Sequence, residues 1–120
     1  TGFGLLGHCY ELSAASGVSA ELFTAGLPFI HGVHDAAGLG LLPAGAYVNR
    51  DHFIGHIDGA DVEPDLIDLL FSPETAGGLL ISVAADKSEA LDRALQSRAC
   101  LAVEVGRITE KFPHAIKLRP

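Results

Sequence analysis

Methionine and tryptophan are absent from this 120-residue chain, and cysteine occurs only twice, at Cys9 and Cys100. Two cysteines outside any C-x-x-C spacing exclude a disulfide framework and read as reduced interior residues of a cytosolic protein. Positive charge is also sparse: 8 Lys and Arg against 15 Asp and Glu leave a net charge of −7, with the basic residues scattered. No basic face is available for nucleic acid, so no nucleic-acid partner is expected. Any phosphate bound here has to be held by backbone N–H groups and metal, because the side-chain field is mostly repulsive. No apolar run approaches the roughly 18 residues of a membrane span, so a cytoplasmic protein without a membrane partner is expected. A hydrophobic content of 48% with mean hydropathy +0.32 excludes disorder. The length suits one domain over residues 1–120 with a real core. Beginning at Thr1 with no methionine anywhere, the chain is expected to be a piece of something longer.

What is present is a chain punctuated by glycine. Leu5, Leu6, Cys9, Leu12 and Ala15 recur at helical spacing, with Glu11 and Ser13 outside, and predict a helix over about 4–16 closed by Gly17. A strand is expected over about 18–24, and a short helix over roughly 30–38 after Pro28. Residues 40–62 read as a long ordered loop with one helical turn, anchored by Tyr47, Phe53 and Ile57. Pro64 suits the first turn of a helix reaching Phe71. The apolar run Gly78 to Ala84 reads as a central strand, and Asp86 with Glu89 as a capping box. The helix it opens should turn Leu91, Ala94 and Leu95 inward, and two strands follow at about 101–109 and 114–118. Helices on a mixed sheet, an α+β domain, follow from that order.

Two glycine turns run into apolar elements: Thr1-Gly2-Phe3-Gly4-Leu5-Leu6-Gly7-His8, and Phe71-Ser-Pro-Glu-Thr75-Ala-Gly77-Gly78-Leu-Leu80. Such turns let backbone N–H groups approach a ligand, and a helix beginning there points its positive end at an anion. Gly2, Gly4 and Gly7 satisfy G-x-G-x-x-G, but no strand precedes them and Glu21 falls too early for the ribose-binding acid, so a dinucleotide site is rejected. Two readings stay open: glycines that only permit tight packing of a helix end, or a turn that completes a nucleotide-phosphate site. Thr1 reads as a helix cap, and His8 as a structural hydrogen-bonding imidazole or a site residue. His31/His34 and His52/His56 have zinc-like spacing but no third ligand at a fixed offset, and read as solvated surface histidines. No Ser or Cys has a base and orienter at a recognisable spacing, so no catalytic residue is assigned, and no metal ligand either.

Taken as a pair, the two turns resemble the C-terminal domain of the selenophosphate synthetase (selenide, water dikinase) family, with its T-G-F-G-L-L-G-H and D-P-Q-T-S-G-G-L-L segments. The first block matches throughout; in the second, Ser72, Glu74 and Ala76 depart, while Pro73, Thr75, Gly77 and Gly78 are kept. Asn49 stands where the family has an asparagine after a glycine-containing loop. The resemblance runs from Thr1 to about Ile108. It implies a PurM-like, AIR synthase-related C-terminal domain of a longer two-domain enzyme that converts selenide, ATP and water to selenophosphate, AMP and phosphate with Mg²⁺. It implies that Thr1, Gly2, Phe3, Gly4, Gly7, His8, Asn49, Thr75, Gly77 and Gly78 border the ATP site. An aspartate just before the threonine helps to bind magnesium in that family. The catalytic Cys or selenocysteine, the catalytic Lys and most acidic metal ligands lie in an N-terminal ATP-binding domain. That domain and a second copy of the parent are the implied partners. The chain itself is expected to be inactive and to hold no cofactor alone. Two alternatives are an interaction module of a non-catalytic parent, which the altered second turn suits, and a domain of another ATP-dependent member of the superfamily.

Overall fold

Helix α1 runs from Gly4 to Ser16 and stops at Gly17, whose φ of 68° is the left-handed conformation glycine adopts without penalty. The chain turns there into strand β1, Ser19–Phe23. The computed structural model describes residues 2–120, so the capping role expected of Thr1 lies outside the described residues. Next come α2 (Val33–Gly38), α3 (Ala44–Phe53), β2 (Ile57–Asp58) and α4 (Pro64–Leu70). The last elements are α5 (Ser88–Gln96), β3 (Gly106–Thr109) and β4 (Ile116–Arg119). The strands form one mixed sheet in the order β2-β4-β1-β3, with β1 parallel to β4, antiparallel to β3, and β2 parallel to β4. Helices on a mixed sheet make the fold α+β, as the element order predicts.

The central pair β1 and β4 supplies Ala20, Leu22, Ile116 and Leu118 to a core completed by Leu6 and Cys9 of α1, Phe53, Ile57, Leu70 and Phe71. β1 and β4 are parallel, so a tight turn cannot join them, and the elements between them supply the long connection that a parallel pair needs. At the junction of β2 and β4, Asp58 faces Lys117, with 3.3 Å between Oδ2 and Nζ. That ammonium holds the Asp58 carboxyl below its ordinary range. Gly106 is needed where β3 crosses β1, since a Cβ there would collide with the Glu21 carbonyl oxygen.

Five sequence expectations are corrected. Residues 40–62 are not a long loop: they hold the ten-residue α3, a 3₁₀ turn over Ile54–His56 and β2. Gly45 and Gly55 lower intrinsic helix propensity there, but packing of Ala46 and Phe53 into the interior overrides it. On α1, Ser13 is fully buried and Ala15 exposed, the reverse of the amphipathic reading, because α1 is covered by the sheet, α3 and α4 at once. Asp86 and Glu89 make no capping box. A 3₁₀ turn over Ala85–Lys87 precedes α5, so its cap is Lys87; Asp86 sits 3.7 Å from Lys87, and Glu89 pairs with Arg93. Residues 78–84 form no strand, and residues 101–105 join none either. The apolar run is there, but a strand also needs a neighbour for its backbone, and Leu79, Ile81 and Val83 are exposed instead. Leu91 and Leu95 of α5 are half covered and Ala94 is exposed, since nothing lies under the helix.

Candidate functional site: two glycine turns joined by Asn49

Far apart in sequence, the two glycine turns meet in space. A Cβ placed on Gly2, whose φ is 95°, would lie 3.7 Å from both Pro73 Cβ and Thr75 Cγ2. Between the turns stands Asn49 of α3. Its side-chain Nδ2 donates one hydrogen bond to the Gly2 carbonyl (2.7 Å) and another to the Phe71 carbonyl (3.0 Å). One half-buried amide thus ties the turn that leads into α1 to the residue after α4. Gly45, one helical turn before Asn49, sits against Pro73: a Cβ there would be 3.0 Å from the proline Cγ. Arg50 braces the same helix from its other side, its Nη1 3.0 Å from each carboxylate oxygen of Asp68 on α4. Hydrogen bonds to Asp51 and Asp68 raise the Arg50 guanidinium above its ordinary value and keep it charged.

The glycines of the first turn differ in what surrounds them. A Cβ on Gly4, at φ 73°, would lie 2.6 Å from the backbone carbon of Phe71 and 2.7 Å from the Leu70 oxygen. On Gly7 it would meet Phe3 Cβ at 2.7 Å and Phe53 Cε2 at 3.0 Å. At both positions the space a side chain would need is taken by the protein, so any ligand contact there falls to the backbone alone. Below them, Phe53 is packed by Phe3 at 5.7 Å and Tyr10 at 5.4 Å and lies parallel to Phe71 at 6.5 Å, a rigid aromatic floor. Phe3 occupies the N-cap of α1 and has no side-chain acceptor for the first-turn N–H groups. His8 is half exposed on α1, its ring 5.6 Å from that of Phe3 and its Nδ1 3.9 Å from Glu11.

The second turn is more open. Thr75, Gly77 and Gly78 are exposed, and a Cβ on either glycine would meet nothing within 4 Å. Gly2, Gly4, Asn49 and Thr75 are therefore brought to one place, Gly7, Phe3 and His8 line the helix beside it, and Gly77 and Gly78 lead away from it. Sequence reasoning missed Gly45 as a member of this junction, and read Phe71 and Pro73 as part of the second turn without assigning them to the site. The Gly45–Asn49 spacing of one helical turn carried the signal, but only for a reader who had already placed a helix there.

Among the described residues, no group of three His, Cys, Asp or Glu side chains is placed to hold a metal ion. Three of the four paired histidines lie on aromatic rings: His56 stacks on Tyr10 at 4.4 Å, His34 meets Phe29 edge-on at 4.3 Å, and His52 meets Phe53 at 4.6 Å. Burial pushes the Cys9 thiol up to about 11, with the adjacent Ser13 hydroxyl opposing this weakly, so it is no nucleophile at neutral pH. Two clefts lie elsewhere: about 520 Å³ beside Thr24, Phe29, His34 and Leu66, and about 220 Å³ between Tyr10, His56 and Lys111. At the junction Gly4 is buried, Gly2 and Asn49 are half-buried and Thr75 is exposed, so the junction meets solvent along one side. Among the described residues no helix is long and apolar enough to cross a membrane.

Comparison with known proteins gives the family. Residues 1–118 match the family described as AIR synthase related protein, C-terminal domain. A selenide, water dikinase of Caldanaerobacter subterraneus is 43% identical over 120 residues, covering 99% of this chain and 35% of that protein. Another from Nitratidesulfovibrio vulgaris is 41% identical over 119 residues, covering 98% of this chain and 34% of that protein. A third, from Treponema denticola, is 43% identical over 104 residues, covering 83% of this chain and 29% of that protein. The chain thus spans about a third of the length of the curated relatives it matches.

Proposed function

The chain belongs to the AIR synthase related C-terminal domain family, and from that premise we propose that it is the C-terminal domain of a selenophosphate synthetase. In this reading its paired glycine turns form one wall of an ATP-phosphate site completed by an N-terminal domain of the same protein. The observation that carries the reading is the Asn49 amide holding Gly2 against Phe71, so that both turns face the same side. A wall that meets solvent along one side suits a domain that supplies half of a site.

The chemistry available to these residues is limited and specific. With a net charge of −7 and Glu74 exposed in the second turn, side chains cannot attract a triphosphate. Backbone N–H groups at the start of α1 can, because they carry the positive end of the helix dipole. The exposed Thr75 can donate its hydroxyl to a phosphate oxygen. The described residues do not fit Mg²⁺, having no cluster of three candidate ligands, so no step is assigned to a metal held here. The role left to this chain is to orient the nucleotide, while the nucleophile and the metal come from the rest of the protein.

The test uses the full-length protein. It should consume ATP in a selenide-dependent manner, and the 120-residue chain alone should not. In the full-length protein, Asn49→Ala should weaken ATP–Mg²⁺ binding measured by calorimetry, with a loss of about 1–3 kcal/mol for a site disordered by two unmade hydrogen bonds. Absence of selenide-dependent turnover by the full-length protein would refute the synthetase reading. Unchanged nucleotide affinity in Asn49→Ala would refute the phosphate wall.

A further inference from the structure

The smaller cleft, about 220 Å³, lies at the C-terminal end of α1, the opposite end from the glycine turns. Tyr10 and Ser13 of that helix line it together with His56 and with Lys111 and Phe112, which belong to the connection between β3 and β4. Its walls are held in place. The fully buried Ser19 donates its hydroxyl to the His114 carbonyl (3.1 Å) and accepts the Phe112 N–H (3.0 Å), which fixes that connection against β1. His56 stacks on Tyr10 with 4.4 Å between ring centroids, which holds the imidazole at the cleft.

Two polar groups of this cleft are unanswered. Ser13 is fully buried, and its Oγ makes no hydrogen bond among the described residues, with only the weakly accepting Cys9 thiol beside it. A buried hydroxyl left so is costly, and it calls for a partner from outside the chain. Lys111 is the second group. Of the eight Lys and Arg side chains, five pair with carboxylates, Arg98 donates to the Ala94 carbonyl and Arg107 lies over Phe23. Lys111 alone has no partner among the described residues. The chain carries 15 Asp and Glu, yet none of them lines the cleft, so nothing acidic in its walls repels an anion. The negative end of the α1 dipole is blunted on this side. The Ser13 and Ala14 carbonyls accept the Val18 and Gly17 N–H groups, and Ala15 and Ser16 do not line the cleft.

We propose that this cleft binds one small oxyanion of the phosphate class. The donors are the Lys111 ammonium and a His56 N–H at its mouth and the Ser13 hydroxyl at its floor. An imidazole offers one N–H even when neutral, so the set does not depend on protonation of His56. The volume lies below the roughly 300 Å³ at which pockets for drug-sized ligands begin, which suits a phosphoryl group and not a nucleotide.

NMR titration of the chain with inorganic phosphate, at ionic strength held constant with chloride, tests the site without nucleotide and independently of the proposed function. Saturable shifts centred on residues 10–19, His56 and residues 111–115 are expected. Lys111→Ala, at an exposed position, should weaken binding about tenfold or more, the scale of one hydrogen bond from a charged donor. Ser13→Ala removes the unanswered hydroxyl, so it should keep or raise the Tm without phosphate while lessening the gain in Tm that phosphate brings. Glycerol phosphate, titrated alongside, tells a free anion from the phosphoryl end of a larger molecule: the tighter binder names the source, and the shared chemistry holds for both. Shifts that never saturate, that chloride alone reproduces or that survive Lys111→Ala unchanged would overturn the proposal, and a cleft that holds only water gives that result.

Discussion

From Gly2 to Pro73 the apolar residues of this chain largely find cover; from Glu74 to Glu104 none of the residues is buried. The contrast is not one of hydrophobic content. Helix α5 has the sharpest apolar side of the longer helices and buries nothing, whereas α1 is apolar nearly all round and is embedded. Phe71 is completely covered, while Leu79, a few residues on, is 86% exposed. An apolar pattern stabilises only when something lies opposite it: α1 has a sheet and two helices, and α5 has a turn. The glycines follow that division only in part: in the first region a Cβ would crowd backbone at Gly4 and side chains at Gly7, Gly45 and Gly59, but Gly17, Gly32, Gly40 and Gly55 border open space, as Gly77 and Gly78 do in the second.

That division can be broken most directly at its two aromatic and aliphatic extremes. Phe71→Ala should cost about 3–5 kcal/mol, the range for emptying a buried aromatic site, whereas Leu79→Ala should stay within about 0.5 kcal/mol. Chemical denaturation of both variants measures the difference, and a Leu79→Ala cost near that of a core leucine would break the comparison.

A smaller effect is expected for glycine. Gly4→Ala forces a Cβ against Phe71 backbone at a positive φ and should cost about 2 kcal/mol or more. Gly78→Ala meets no atom and should be close to neutral. Melting curves would decide. A Gly4→Ala variant as stable as the parent sequence would mean the close approach to α4 does not hold in solution.

The smallest effect separates the two cysteines. Cys100 is exposed and Cys9 buried, so alkylation near pH 8 followed by mass spectrometry should modify Cys100 alone. Because burial raises the Cys9 thiol from 9.0 to about 11, the folded state favours its protonated form. That contribution is complete below about pH 9 and is lost as pH rises towards about 11, where ionisation in the unfolded chain pulls the equilibrium the other way. Stability should therefore decline over that window, and Cys9→Ala should flatten the decline while lowering stability at neutral pH.

Local rules in the sequence by themselves located α1, from about residue 4 to its glycine stop at Gly17, as well as β1 and α4, because spacing, a left-handed cap and a first-turn proline act within a few residues. They also marked both glycine turns, and a resemblance of motifs pointed to the family that comparison then bore out. Tertiary structure alone decided the rest. Helix α3 forms against its own glycines because Ala46 and Phe53 are buried, and only that helix carries Asn49 to the two carbonyls it joins. Ser13 lies inside because α1 is enclosed on several sides, and residues 78–84 stay unpaired because strand formation depends on a neighbour that no local pattern specifies. Helical hydrogen bonds close within one segment, so a sequence can announce them; burial and strand pairing are made between segments, and only the folded chain brings those together.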